Sequence, residues 1–503
     1  MTATSLGILV HKGLLQWDTP VHDILPEMSK STELHAAKLN IIDILCHRTG
    51  RAWADALYLQ SNNMILMGKD QCIPTFDYLT QVAPVRNKYM YNNHAYNLAG
   101  LVVERVSGQR WDAFLHENII SPLEMSRTFT RHPENDGNVA VPYNILTDRS
   151  PFRLPFCNVS GDTMMFAGQS VRASMGDMLK YSKAYLRALD DLKLLEPGAH
   201  AGKESSSNSG CLSTILPAFK ARLGISATVS DEGASKTTYA NSPIKEIAAI
   251  VRPQIARGVD CLLEQTYALG WNRTQLPGTL DFGWNQRVLQ PFPAVGKDYP
   301  GRIAIWHGGN MPGATSALCL LPESGSAVVV LQNSLGLCDV ADWVCQLILD
   351  IVFTGKPTQD YLSLVRQCVD AGVVRMNEVQ SRLNKERIKG TEARSLRSYT
   401  GRYHNSIDNW FIDVKVDGNT LVFEFLGRLD ERYTLRHYHY DTFVWNLSYD
   451  ETVKRGQYVR SHPYYRFKFE AEPEGEKING LRWIHDDSVP NGEFFYRSEQ
   501  KHG

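Results

Sequence analysis

Apolar residues recur at a helical period in some stretches of this chain and at a strand-like period in others. Leu98 to Val106 is apolar almost all round and is closed by Ser107-Gly108, which predicts a buried helix ending on a glycine cap. Ser174 to Leu189 carries Met175, Met178, Leu179, Tyr181 and Tyr185 on one face, as a helix laid against a core does. Ile303 to Trp306, Ser316 to Leu321 and Ala327 to Leu331 are β-rich runs broken by Gly and Pro. They predict adjacent strands, followed by an apolar helix from Asp339 to Val352. Helices with a mainly antiparallel sheet make an α+β class.

Gly355-Lys-Pro357 interrupts this pattern, and a charged helical segment, about 360 to 394, follows. From Leu396 onward short runs alternate with polar turns: Trp410 to Val416, Leu421 to Leu426, Arg432 to His439, Thr442 to Leu447, Tyr464 to Glu470 and Ile478 to Ile484. Strands at this spacing predict a small all-β barrel or sandwich. The expected organisation is therefore residues 1–355, a helical linker at 356–395, and a β domain at 396–503. Between about 196 and 242 the composition shifts to Ser, Gly, Lys and Asn, which predicts an exposed insertion.

A chain of 503 residues exceeds what one core usually supports, in keeping with two domains. Lys plus Arg (53) and Asp plus Glu (54) nearly cancel, leaving no electrostatic case for nucleic acid or an anionic membrane as partner. No run of 18 apolar residues predicts a membrane span. The nine cysteines form no Cys-x-x-Cys and sit mostly in apolar settings, so they read as reduced, buried thiols of a cytoplasmic protein.

Two strings carry chemistry. In Tyr91-Asn-Asn-His-Ala-Tyr-Asn-Leu-Ala-Gly100 a phenol and an amide stand two residues apart. A phenol serves as general base only where nearby cations favour phenolate, and Asn-Asn is also common in turns that open a helix. In Trp306-His-Gly-Gly-Asn-Met-Pro-Gly313 the glycines let a ligand approach a strand backbone, with His307 beside them.

These strings are accompanied by Ile44-Leu-Cys-His-Arg-Thr-Gly50, Asp177-Met178, Tyr267-Ala-Leu-Gly-Trp271 and the opening Met1 to Val21. In that order, over residues 1 to about 355, they resemble the serine β-lactamase and penicillin-binding-protein superfamily, especially the class C-related esterases and acyltransferases of fungal type. Tyr399-Thr-Gly-Arg-Tyr403 with Leu435 to Phe443 resembles the lipocalin-like domain appended to many of them. The resemblance implies a transpeptidase-like fold with a helical subdomain. It implies Tyr91 and Asn93 as catalytic residues, His307 at the leaving group, and Gly308, Gly309 and Asn310 as the oxyanion and substrate strand. His47 is expected to be structural. No cofactor or metal is implied; the partners would be a small-molecule acyl donor and acceptor.

The family's Ser-x-x-Lys stands just before a Thr-Ala such as Thr2-Ala3, so it is expected upstream of residue 1, and no nucleophile is expected within these residues. Ser242-Pro-Ile-Lys245 reads instead as an ordinary helix start, and Ser498-Glu-Gln-Lys501 as a loose tail. His307 in place of the lysine of Lys-Thr-Gly argues against a carboxylate-bearing β-lactam and favours esters or thioesters. Three functions remain open: an esterase or acyltransferase of small molecules, including those of fungal secondary metabolism; a catalytically dead relative that binds a small molecule or partner; or a D-amino-acid peptidase.

Overall fold

The computed structural model describes residues 1–28, 38–193, 242–258, 261–472 and 477–498. The predicted insertion at 196–242 lies almost wholly outside the described residues. Five long helices frame the first part of the fold: α1 (Thr2–His11), α2 (Asn93–Ser107), α3 (Met175–Lys193), α4 (Val340–Thr354) and α5 (Tyr361–Glu386). Each predicted helix is present. Gly108 caps α2 with φ 71°, and Asp339 and Asp360 cap α4 and α5 through their side chains.

A six-stranded sheet lies among these helices: β1 (Ile255–Ala256), β2 (Gln265–Tyr267), β3 (Asn272–Gln275), β4 (Ile303–Met311), β5 (Ala314–Leu321) and β6 (Ser326–Gln332). The strands run in sequence order, every neighbour antiparallel. Alternation along β4 and β5 supplies two faces. Trp306, Cys319 and Leu321 join Cys345, Leu349 and Phe353 of α4 on one side. Ile305 and Leu320 join the core of α1, α2 and α3 on the other. The sheet is thus buried between helical layers, and its two faces hold the molecule's main apolar clusters.

The C-terminal part is a closed antiparallel barrel of eight strands. They are β7 (Gly401–His404), β8 (Phe411–Asp417), β9 (Thr420–Phe425), β10 (Arg432–His439), β11 (Thr442–Val444), β12 (Arg466–Ala471), β13 (Ile478–Trp483) and β14 (Glu493–Arg497). Closure comes from Tyr403 opposite Arg497 and His404 opposite Tyr496. The interior holds aromatic core: Phe423 lies 4.8 Å from Phe467, 5.1 Å from Tyr433 and 5.3 Å from Trp445 between ring centroids.

One local expectation is corrected. Ser242 does not cap a helix; its hydroxyl accepts from Ile244 N, and the helix begins at Ile247 behind a left-handed Glu246. Of the expected tail, Glu499 to Lys501 lie outside the described residues, while Ser498 N–H donates to the Arg402 carbonyl at 2.8 Å and continues the β14–β7 pairing.

The barrel is bonded to the sheet domain. Asn144 Nδ2 donates to Val453 O at 2.8 Å while its Oδ1 accepts from Gly313 N at 2.9 Å, so one buried amide ties the β4–β5 turn to the barrel. Ser61 Oγ meets Tyr433 Oη at 2.7 Å, and Ala54 N donates to Asp486 Oδ2 at 2.7 Å. Phe423→Ala should cost about 3–5 kcal/mol, since it opens a cavity among these three rings that cannot all collapse into it. Urea unfolding measures this, and a loss below about 1 kcal/mol would show that the barrel interior is not close-packed.

Candidate active site

β4 outruns β3. Ile303 to Trp306 pair with β3, whereas His307 to Met311 pair only with β5. The unpaired side of that half-strand faces a cleft of about 2030 Å³ lined by both domains. Tyr91, Asn93, His307, Gly308, Gly309 and Asn310, the six residues singled out from sequence, all line it. A β-carbon at Gly308 would collide with the Phe282 carbonyl, so only glycine fits there.

The peptide group of Asn310 is oriented by an observation from outside the sheet. Its carbonyl accepts from Tyr458 Oη at 2.7 Å and so points away from β5. Within a strand the N–H and C=O of one residue point the same way. The Asn310 N–H therefore also faces the cleft, the orientation an oxyanion donor requires. The turn at the end of this half-strand is fixed by Pro312 and by Gly313 at φ 83°.

Tyr91 immediately precedes the α2 cap Asn92, whose Oδ1 accepts from Ala95 N at 3.0 Å. Below the Tyr91 ring lies His47, 4.1 Å away between centroids. His47 is fully buried in a left-handed turn (φ 58°), and its Nδ1 accepts from Asn92 N at 3.1 Å. Burial drives His47 down to about 3, so it stays neutral, and among the described residues its Nε2 has no hydrogen-bond partner. The expectation of a structural role fits this position: the ring props Tyr91 and orients the α2 cap.

A phenolate at Tyr91 would need a cation beside it. Burial raises its phenol above the ordinary range, and Tyr89 and Asp55 push the same way. No lysine is among the described residues that line the cleft. Within these residues the surroundings of Tyr91 favour the phenol over the phenolate that a general base requires. Asn93 is held too: Nδ2 donates to Asp55 Oδ2 at 2.8 Å and to Tyr58 Oη at 3.2 Å.

His307 is fixed at both nitrogens. Nδ1 donates to the Gly308 carbonyl at 2.6 Å, so Nε2 accepts from Tyr267 Oη at 3.1 Å. Burial lowers its basicity, and Arg257 adds to that effect. A neutral imidazole with both nitrogens engaged orients neighbours more readily than it donates a proton. Tyr267 was passed over in the sequence as part of a strand match, although its hydroxyl bonds the Nε2 of His307. Asp55, Tyr58 and Tyr458 carried no sequence signal; only the fold brings them to Asn93 and Asn310.

Comparisons with known proteins find similarity in both parts of the chain. Residues 1–214 match the family model Beta-lactamase, and residues 385–493, which span most of the barrel, match a domain of unknown function, DUF3471. An unguisins hydrolase of Aspergillus campestris is 22% identical over 348 residues, 66% of this chain and 50% of that protein. Over residues 1–214 the chain is thus similar to the β-lactamase family. An unguisins hydrolase of Aspergillus violaceofuscus is 30% identical over 122 residues, 23% of this chain and 21% of that protein. The chain thus spans half or less of the length of these superfamily relatives. The octameric penicillin-binding-protein homologue of Pyrococcus abyssi is 17% identical with a TM-score of 0.48, covering 98% of this chain and 85% of that one. No helix among the described residues is long and apolar enough to cross a membrane.

Asp55 gives the site a measurable pH signature. Burial raises its carboxyl from 3.8 to about 7, with Arg460 opposing, and its Oδ1 has no partner among the described residues. Between about pH 4 and 7 the folded chain keeps a proton that the unfolded chain has released. The stability contributed by this protonated carboxyl is therefore complete below about pH 4 and lost as pH rises through 7. Asp55→Asn, which keeps an acceptor for Asn93 but cannot titrate, should lack that downward slope in urea melts from pH 4 to 8. Parallel slopes for the two proteins would mean that Asp55 is ionised in the fold.

Proposed function

We propose that the cleft is the acyl-transfer site of a small-molecule hydrolase or acyltransferase acting on esters or thioesters. The observation that carries this reading is the unpaired half of β4, with the Asn310 N–H turned to a cleft that Tyr91, Asn93 and His307 also line. An acyl carbonyl laid there would meet a backbone donor of the kind worth about 10²–10³ in rate. The relatives named as unguisins hydrolases, both of Aspergillus, support hydrolysis as the reaction type.

In this reading a serine nucleophile and its lysine belong to a Ser-x-x-Lys turn joined ahead of Thr2. That lysine is also the cation Tyr91 needs. Serine attacks the acyl carbonyl, its proton passes to the lysine–tyrosine pair and on to the leaving group, and water or an acceptor alcohol releases the acyl group. His307, neutral and bonded to Tyr267, orients the leaving-group side.

The second reading, a binding protein without turnover, is favoured by one observation: serines line the cleft at Ser174, Ser316 and Ser461, but no described lining residue is a lysine. Fluorophosphonate labelling separates the two. Residues 1–503 should take no label, and a longer protein carrying Ser-x-x-Lys should be labelled at that serine. In the longer protein Tyr91→Phe should lower kcat at least about 10²-fold with the fold intact. An adduct at Ser174, Ser242, Ser316 or Ser461 would overturn the assignment of the nucleophile. A longer protein that binds ligand but never labels would establish the non-catalytic reading.

A further inference from the structure

Asn310 offers the cleft a backbone donor and a backbone acceptor side by side, and only the donor is open. Its carbonyl is already taken by Tyr458, a residue of the barrel domain 148 positions away in sequence. Tyr458 is held where it is. Its ring lies 5.7 Å from the Arg460 guanidinium, which also sits 5.3 Å from Trp53 and 5.8 Å from Tyr464. The preceding residue, Gln457, donates to Tyr433 Oη at 2.7 Å and to Ser61 Oγ at 3.3 Å inside the interface. Burial keeps the Tyr458 phenol protonated, so it remains a donor across the physiological range.

An extended chain that adds to a free strand edge does so through alternating N–H and C=O groups. At Asn310 an acyl group would use its carbonyl against the open N–H. An amide N–H next along that acyl chain would seek the Asn310 carbonyl and find it occupied. We propose that Tyr458 is a specificity-determining residue: it withholds the Asn310 carbonyl, so the site takes acyl groups that present only a carbonyl there and gains nothing from a peptide-like N–H. The barrel thereby sets the substrate class of a site whose other parts lie in the sheet domain. This inference rests on the acyl-site reading above.

The experiment compares two probes, N-benzoylglycine methyl ester and O-benzoylglycolic acid methyl ester, which differ only in N–H against O. Binding to residues 1–503 is measured by titration calorimetry, which needs no turnover. The natural chain should bind the two within about twofold of each other. Tyr458→Phe frees the Asn310 carbonyl and keeps the ring beside Arg460. It should favour the N–H probe by about 5–10-fold, the value of one net hydrogen bond. Tyr458→Met, which also lacks the hydroxyl, should give the same ratio. A natural chain that already prefers the N–H probe by that factor, or folded variants whose ratio does not move, would overturn the proposal. Failure of every protein to bind either probe would instead reject the acyl site itself.

Discussion

β4 is paired along its whole length on the β5 side but only as far as Trp306 on the β3 side, and the site is arranged around that inequality. A half-paired strand leaves backbone donors and acceptors facing a cleft, where each must be bonded by protein, water or ligand. Here the half-strand is clamped at its far end. Asn144 bonds Gly313 N and the barrel at once, and Asn63 Nδ2 reaches Pro312 O at 3.3 Å. The exposed backbone is therefore presented in one fixed orientation. Glycine at 308 is the steric condition for it, because the Phe282 carbonyl occupies the space of a side chain.

The electrostatics follow from burial more than from charge. His47 and His307 are both driven toward the neutral form, and Tyr91 and Tyr267 toward the phenol. A cluster of neutral aromatic donors and acceptors can hold a polar substrate, yet it cannot by itself generate a nucleophile. One added ammonium group beside Tyr91 would change that balance, since an opposite charge at 4–6 Å typically shifts a titrating group by 1–3 units. This is why the same walls serve either an acyl-transfer enzyme or a binding protein.

Much of this was legible in the sequence, for reasons particular to each element. α2, α3 and α4 announced themselves by period and caps. The strand run ending at Trp306 was read too short, because His-Gly-Gly-Asn lacks β propensity; pairing with β5 carries the strand on to Met311. β7 and β14, which close the barrel, are short and mix charged with apolar residues, so neither stood out. Ser242-Pro243 looked like a helix start, but the chain runs five residues further before the helix begins. Tyr91, Asn93, His307 and the glycines were visible as local strings. Their supports were not: Tyr267, Asp55 and Tyr458 act through contacts 38 to 148 residues apart in sequence, set by the sheet register and by the docking of the barrel.

Native-state hydrogen exchange along β4 tests the half-strand geometry most directly. His307, Gly309 and Met311 alternate with Asn310 and so should be the residues bonded to β5, with slowly exchanging amides. The Asn310 amide, turned to the cleft, should exchange markedly faster than both of its neighbours. An Asn310 amide protected as strongly as those of Gly309 and Met311 would place it inside the sheet and contradict the account.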